Sequence, residues 1–348
     1  MKRLSIFIVG IMMAVVAMSR TFDMKQLGAD AKGIKSCTEL INRTIEKAAS
    51  EGGGTIYFPA GTYLTATIHM KSNITLYLES GAVLRFSDKF EDYLPFVTLR
   101  WEGTVMKSLS PLIYAHSADN VTISGRGTLD GNGLKWWLWE FDTRKVIKEN
   151  GGKLPALDKL QQMWVDANKN LEISDYYKPS LERRMFRPPF IQFYECTNIL
   201  IENVKIINSP FWTINPAFCD NVTIHGVTIN NPSSNPKGPN TDGINPSSCR
   251  NVRISDCFIS VGDDCITIKS GRDADGRKYG KACENITITN CIMLSGHGGV
   301  VIGSEMSGGV KRVAISNCVF DGTNAGIRLK ASRGRGGVVE DIRVDNIV

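Results

Sequence analysis

The chain has 348 residues, of which 42% are apolar and 22% charged, with a net charge of +6. That mixture suits one large globular domain with a sizeable core. The charge is small and no run of basic residues with interleaved aromatics appears, which argues against a nucleic-acid partner and leaves an acidic substrate open.

In chain order, Lys2 and Arg3 precede an apolar run, Leu4 to Met18, too short to span a bilayer. Ala17-Met18-Ser19 offers small residues at the two positions a signal peptidase reads. Residues 1–19 are therefore expected to be a signal peptide that leaves no membrane anchor. The mature chain, 20–348, is expected in the periplasm or outside the cell. Losing Lys2 and Arg3 leaves 39 basic against 35 acidic residues, a net of +4. Ser36 with Glu39 three residues on reads as a capping box. It opens a helix from Ser36 to Ser50 with Leu40, Ile41, Ile45, Ala48 and Ala49 on one apolar face, ended by Gly52-Gly53-Gly54. Short strands separated by turns follow to the end of the chain.

Those strands repeat. The pattern Asn, branched aliphatic, any residue, aliphatic occurs at Asn73, Asn120, Asn198, Asn221, Asn251 and Asn285, and continues without Asn at Arg312 and Asp341. From Asn198 the spacings are 23, 30, 34, 27 and 29 residues. Units of that length without a crossover helix cannot make βαβ layers. They can wind as stacked coils, so the fold class is all-β, a single-stranded parallel β-helix with a short N-terminal capping helix. Stacking aligns Cys196, Cys219, Cys249 and Cys283 in one column and Cys257, Cys291 and Cys318 in another. Buried thiols acting as small apolar residues are the preferred reading, with a disulfide between neighbouring coils the alternative. No Cys/His spacing points to zinc, and neither metal nor cofactor is expected. One segment, about 130–189, breaks the rhythm and carries Trp136, Trp137, Trp139 and Trp164; it reads as a partly helical insertion over one face. The chain stops at Val348 just after a repeat begins, so further C-terminal coils are expected beyond it.

Aligning the coils by their aliphatic strands stacks Trp212, Asp242 and Asp264 in one column and Asp263 and His297 in the next. Arg328 shares a column with Asn245 and Thr267, and Lys330 shares one with Lys269. Adjacent coils lie about 4.8 Å apart, so three carboxylates, one histidine and several cations gather on one patch. Three carboxylates that close split their pKa values, which lets one stay protonated while its neighbours are ionised. Glycoside hydrolysis needs that combination: an acid for the leaving oxygen and a carboxylate to activate water. Arg328 and Lys330 are candidates to bind a sugar carboxylate. Asn240, Lys269 and Trp212 are further candidate substrate contacts. His297 would either hold the acid's proton in place or touch the sugar.

Asn240-Thr241-Asp242, Gly262-Asp263-Asp264, Gly296-His297-Gly298 and Arg328-Leu329-Lys330, all present and in order, resemble the four signatures of the polygalacturonases, glycoside hydrolase family 28. The resemblance implies a right-handed β-helix that hydrolyses α-1,4-linked galacturonic acid with inversion. It implies Asp263 as general acid, Asp242 and Asp264 as the pair that activates water, and His297 as support for the acid. It also implies that Arg328 and Lys330 hold the galacturonate carboxylate, and that Leu329, where the family usually has isoleucine, points into the core. The stretches Lys269 to Gly276 and Gly303 to Gly309 resemble exo-acting bacterial members, and with the Trp-rich insertion they imply a pocket closed at one end. The expected partner is thus an acidic polysaccharide, galacturonan or pectin. Three alternatives stand beside this reading: a same-family hydrolase of rhamnogalacturonan or side-chain galacturonic acid, a calcium-dependent pectate lyase, and a non-catalytic carbohydrate-binding β-helix.

Overall fold

The computed structural model describes residues 20–151, 156–171, 187–232 and 234–348. The expected signal peptide, 1–19, lies outside them, as does part of the expected insertion. The strands stack as a parallel β-helix with three ladders. The first runs in register from Phe22 and Ile56 through Ile123, Ile224 and Ile288 to Ile315 and Val344. The second runs from Tyr63 through Leu129 and Ile229 to Met293 and Phe320. The third links Ile68, Ile113, Ile191, Ile214, Ile244, Ile266, Val300 and Ile327.

Each ladder position is aliphatic or aromatic because its side chain points inward, where successive coils pack it against like neighbours; Ile56, Leu129, Ile244 and Ile266 are fully buried. The repeat Asn marks a corner. Asn73, Asn120, Asn198, Asn221, Asn251 and Asn285 all have φ between 54° and 62°, the left-handed region that Asn tolerates better than most residues. Their amides then bond from coil to coil: Asn120 Nδ2 donates to Asn73 Oδ1 at 3.0 Å and Asn285 Nδ2 to Asn251 Oδ1 at 2.9 Å. Arg312 takes the same φ and continues the column by donating from Nε to Asn285 Oδ1 at 2.7 Å. Both cysteine columns form in the expected register, and all nine cysteines are buried and free.

Two local expectations differ. Helix α1 is Thr38–Ser50, starts from Cys37 and has no side-chain cap. Ser36 instead ends the strand Lys32–Ser36, paired with Leu64 of the next coil, and its Oγ meets Thr38 Oγ1 at 3.0 Å. Ladder pairing has outweighed the capping box. Leu329 lies in register with the core positions Ile302 and Ile268 as expected, yet it is 59% exposed, because among the described residues the next coil pairs over Val310–Phe320 but adds no third-ladder strand over Ile327–Leu329. Helix α1 covers the first coils with Ile41, Ile45 and Ala48.

Between the strands Thr128–Asp130 and Ile191–Tyr194 the described residues hold α2 (Leu134–Glu149) and α3 (Lys159–Ala167). Trp136, Trp137 and Trp164 are buried there. Trp136 packs edge-on to Tyr93, and Trp137 Nε1 donates to Ser209 O at 2.9 Å. One antiparallel hairpin, Val97–Trp101 with Thr104–Ser108, breaks the parallel order and projects its tip, Glu102 and Gly103, toward the third ladder. A short helix, α4 (Asp273–Tyr279), follows the third-ladder strand Ile266–Ile268.

Candidate active site

The third ladder positions the acids. Ile244, Ile266 and Val300 are in register, so Asp242 and Asp264, each two residues earlier, share a column that Gly298 continues. Asp263 and His297 fall in the column beside it, joined by a main-chain bond from His297 N to Asp263 O at 2.8 Å. Gly262 admits this packing: a Cβ there would sit 2.2 Å from Gly238 O, so only glycine lets the Asp263 corner meet the loop that carries Asn240.

Asp242, Asp263, Asp264, Asn240, Lys269, Lys330 and Trp212 line one pocket of about 200 Å³, together with Glu102, Ser304 and Glu305. Asp242 and Asp264 form its floor, 3% and 1% exposed. Asp242 Oδ2 accepts from Asn245 Nδ2 at 3.1 Å and lies 3.8 Å from Lys269 Nζ. Asp264 Oδ2 is paired with Lys330 Nζ at 2.6 Å, while its buried Oδ1 has no hydrogen-bond partner among the described residues. Asp263 Oδ1 accepts from Asp264 N at 3.0 Å and lies 3.1 Å from His297 Nδ1; its Oδ2 has one long contact, Asn240 Nδ2 at 3.4 Å. His297 borders the pocket through Asp263 and has Lys237 Nζ 2.6 Å from its other nitrogen. Arg328 is in register with Val301 and Thr267 as expected, but it is exposed and outside the pocket lining.

The electrostatics separate the acids. Burial, then the charge of Asp263, push Asp242 well above the usual carboxylate range, against the pull of Lys269. Burial would also raise Asp263, but the hydrogen bond from His297, its charge whenever the ring is protonated, and the charges of Lys330 and Lys269 outweigh it and hold Asp263 below that range. Of these two coupled acids, protonation therefore favours Asp242 over Asp263. The sign for stability follows. A carboxyl raised in the folded state contributes stability that is fully present below its ordinary value of 3.8 and is lost as pH rises through the folded value. Asp242→Asn should thus raise the unfolding midpoint at neutral pH. Thermal melts of the variant and parent at pH 7 and pH 3 check this, with the gain confined to pH 7.

Asp263, Asp264 and His297 present atoms within 4.8 Å of one another, a spacing that a metal ion could bridge. An ammonium already lies 2.6 Å from Asp264 Oδ2 and another 2.6 Å from His297 Nε2, so positive charge beside two of these three side chains opposes a bound cation.

Several neighbours were not legible as site residues. Glu305 accepts from Lys269 Nζ at 2.8 Å and places that ammonium 4.5 Å over the Trp212 ring. Burial opposes its ionisation, but Lys269, Arg272 and Arg335 pull Glu305 down to about 2. Glu102 pairs with Arg272 Nη1 at 3.2 Å across 170 residues of sequence. With Arg272 N donating to Gly103 O, Ser270 N to Glu305 O and Ser307 N to Gly271 O, this pair knits the hairpin tip and the loops 269–276 and 303–309 into one wall. On the opposite flank the buried Arg187 donates to Pro239 O at 2.6 Å and to Asn240 Oδ1 at 2.9 Å, and it lies 3.6 Å from Glu140 of α2. The insertion therefore braces the Asn240 loop. A lysine between two prolines three residues before Asn240 was the one sequence signal for Lys237; Glu102 carried none.

Two family profiles match the chain: "Glycosyl hydrolases family 28" over residues 177–348, which contain Asp242, Asp263 and Asp264, and "Rhamnogalacturonase A/epimerase, pectate lyase-like" over residues 21–138. The crystal structure of a hyperthermoactive exopolygalacturonase from Thermotoga maritima superposes with a TM-score of 0.79 at 39% identity, covering 94% of this chain and 76% of that one. A probable polygalacturonase of Vitis vinifera is 34% identical over 306 residues, 86% of this chain and 54% of that protein. An endo-polygalacturonase of Pectobacterium carotovorum is 28% identical over 347 residues, 95% of this chain and 74% of that protein. The chain thus spans about half the length of the grapevine relative and about three quarters of the two bacterial ones. With a relative of this identity matched over three quarters of its length, and with the family profile lying over the acidic columns, the chain belongs to glycosyl hydrolase family 28 and has its right-handed parallel β-helix fold.

Proposed function

We propose that the protein is an exo-acting polygalacturonase that hydrolyses α-1,4-linked galacturonic acid with inversion, and that it is exported to meet that substrate. The observation that carries the reading is the cluster of Asp242, Asp263 and Asp264 on consecutive coils, with Lys330 and Lys269 beside it in one pocket. Asp263 is the general acid: its Oδ2 has a single long contact and faces the pocket, where it delivers a proton to the glycosidic oxygen as the C1–O bond breaks. Asp264 takes the proton of a water that it and Asp242 hold on the opposite face of the sugar, Asp264 through an Oδ1 with no hydrogen-bond partner among the described residues; the water oxygen bonds to C1 and the anomeric centre inverts. A galacturonate carboxylate seated against Lys330 and Lys269 would offset the two smaller influences that hold Asp263 down, beside that of His297. It would thereby move Asp263 upward and couple its protonation to recognition of an acidic sugar.

The wall made by the hairpin tip and the loops 269–276 and 303–309 supports exo action, because it limits how far a chain can extend past the acids on that side. Arg328, exposed on the third-ladder strand two residues before Lys330, would meet the carboxylate of a neighbouring sugar. Export rests on the expected signal peptide; among the described residues no helix is long and apolar enough to cross a membrane.

The test is to give the protein polygalacturonic acid in the presence of a chelator. Reducing ends, ultraviolet absorbance and product size are followed together. Reducing ends without absorbance, released as monomer or dimer from the first time point, are expected. Oligomers of mixed length would overturn exo action, absorbance that vanishes with chelator would overturn hydrolysis, and no product would turn attention to rhamnogalacturonan or to a binding role.

A further inference from the structure

We infer that Lys237 is a positioning residue for this site: its ammonium fixes the tautomer of His297, and through it which oxygen of Asp263 faces the sugar. The inference rests on the proposed hydrolase reading for its kinetic consequence, but not for its chemistry. An ammonium has three donors and no acceptor. Lys237 Nζ lies 2.6 Å from His297 Nε2, so Nε2 must present its lone pair. The ring proton of a neutral imidazole then sits on Nδ1, which is 3.1 Å from Asp263 Oδ1 and donates to it. The opposite tautomer would set an N–H against the ammonium and a lone pair against the carboxylate, losing both hydrogen bonds at once.

Among the described residues no other side chain hydrogen-bonds the ring. Asp263 meets Nδ1 and Lys237 meets Nε2, while Asp264 lies within 4.8 Å with its Oδ2 on Lys330. The backbone of His297 is separately fixed by its N–H on Asp263 O.

Lys237 is itself held. It stands between Pro236 and Gly238-Pro239, in a loop closed by Gly238 N on Pro232 O at 2.9 Å and by Thr241 Oγ1 on Gly238 O at 2.8 Å. Trp137 of α2 packs against Gly238. The consequence reaches the reacting atoms. With the His297 N–H and the Asp264 N–H both on Oδ1, the oxygen of Asp263 left to carry a proton toward a leaving group is Oδ2.

The test uses Lys237→Met, with Lys237→Arg as the conservative control, in the otherwise intact protein labelled with nitrogen-15 histidine. The chain has four histidines, and His297→Gln identifies the signal of interest. The parent is expected to show His297 with its proton on Nδ1, and Lys237→Met to shift it toward Nε2 at an unchanged unfolding midpoint. On galacturonan, kcat should fall about tenfold to a hundredfold with KM unchanged, the range for removing a group that orients a functional histidine. Lys237→Arg, which also only donates, should recover most of the loss. An unaltered His297 tautomer in Lys237→Met would overturn the inference. So would a loss confined to KM, which would mean that Lys237 touches substrate directly. The tautomer is read without turnover, so a protein inactive on galacturonan would sink the hydrolase reading and still leave this one measurable.

Discussion

Asp263→Asn is expected to lower kcat on polygalacturonate by about 10²–10⁴-fold, the span attributed to a positioned general acid, with the fold intact and KM little changed. The amide keeps the volume of the side chain. It can still accept from His297 Nδ1 and from Asp264 N through one oxygen, the two bonds that Asp263 Oδ1 makes now. What it cannot do is release a proton to the glycosidic oxygen. Reducing-end assays on parent and variant measure the loss, and circular dichroism controls for fold. The partner acids sharpen the test. Asp242→Asn and Asp264→Asn remove the groups proposed to orient and deprotonate water, and groups that act on one water are not additive. The double variant should therefore be little slower than the worse of the two singles. Wild-type turnover by Asp263→Asn would remove it from the acid's role. Given that Asp242 is the member of the cluster whose pKa is raised, that result would make Asp242 the next candidate.

Lys269→Met is expected to destabilise the protein by about 3–5 kcal/mol, the effect of removing one partner from a buried ion pair. Lys269 is 3% exposed, its ammonium 2.8 Å from Glu305 Oε2, 3.8 Å from Asp242 Oδ2 and 4.5 Å over Trp212. The variant leaves two buried carboxyls without that cation. Urea unfolding at pH 7 reads the loss. A second signature is its pH dependence. Glu305 is depressed from 4.5 to about 2 in the folded state, so its contribution is present above about 4.5 and is lost as pH falls toward about 2. That acid-side slope should flatten in Lys269→Met. A variant as stable as the parent would show that Arg272 and Arg335 suffice to hold Glu305, and that Lys269 is free to serve substrate instead.

The path from sequence to site was short because the fold is nearly one-dimensional. In a parallel β-helix each coil pairs with the next, so the repeat that reveals the fold also fixes which residues stack. Aligning Ile244, Ile266, Val300 and Ile327 by eye reproduces the ladder in the structure, and with it the columns of Asp242 with Asp264 and Asp263 with His297. The Asn corners were legible for the same reason: a left-handed φ once per coil selects Asn, and its amide then bonds the next.

What the sequence could not show lies off the repeat, or depends on which partner a charge finds. The tip of the 97–108 hairpin reaches the pocket, and Arg187 reaches Asn240 across 53 residues, through turns that have no period to read. The pairing of Lys330 with Asp264 at 2.6 Å and of Lys269 with Glu305 at 2.8 Å is likewise invisible in the repeat. Ser36 has the spacing of a capping box, yet it ends the strand Lys32–Ser36. Residue spacing along a regular ladder is set by covalent geometry and hydrogen bonding, so the sequence alone determined the coils and the acidic columns. The direction of a long, flexible charged side chain is set by whichever opposite charge three-dimensional packing brings within reach, and that only the tertiary structure decided.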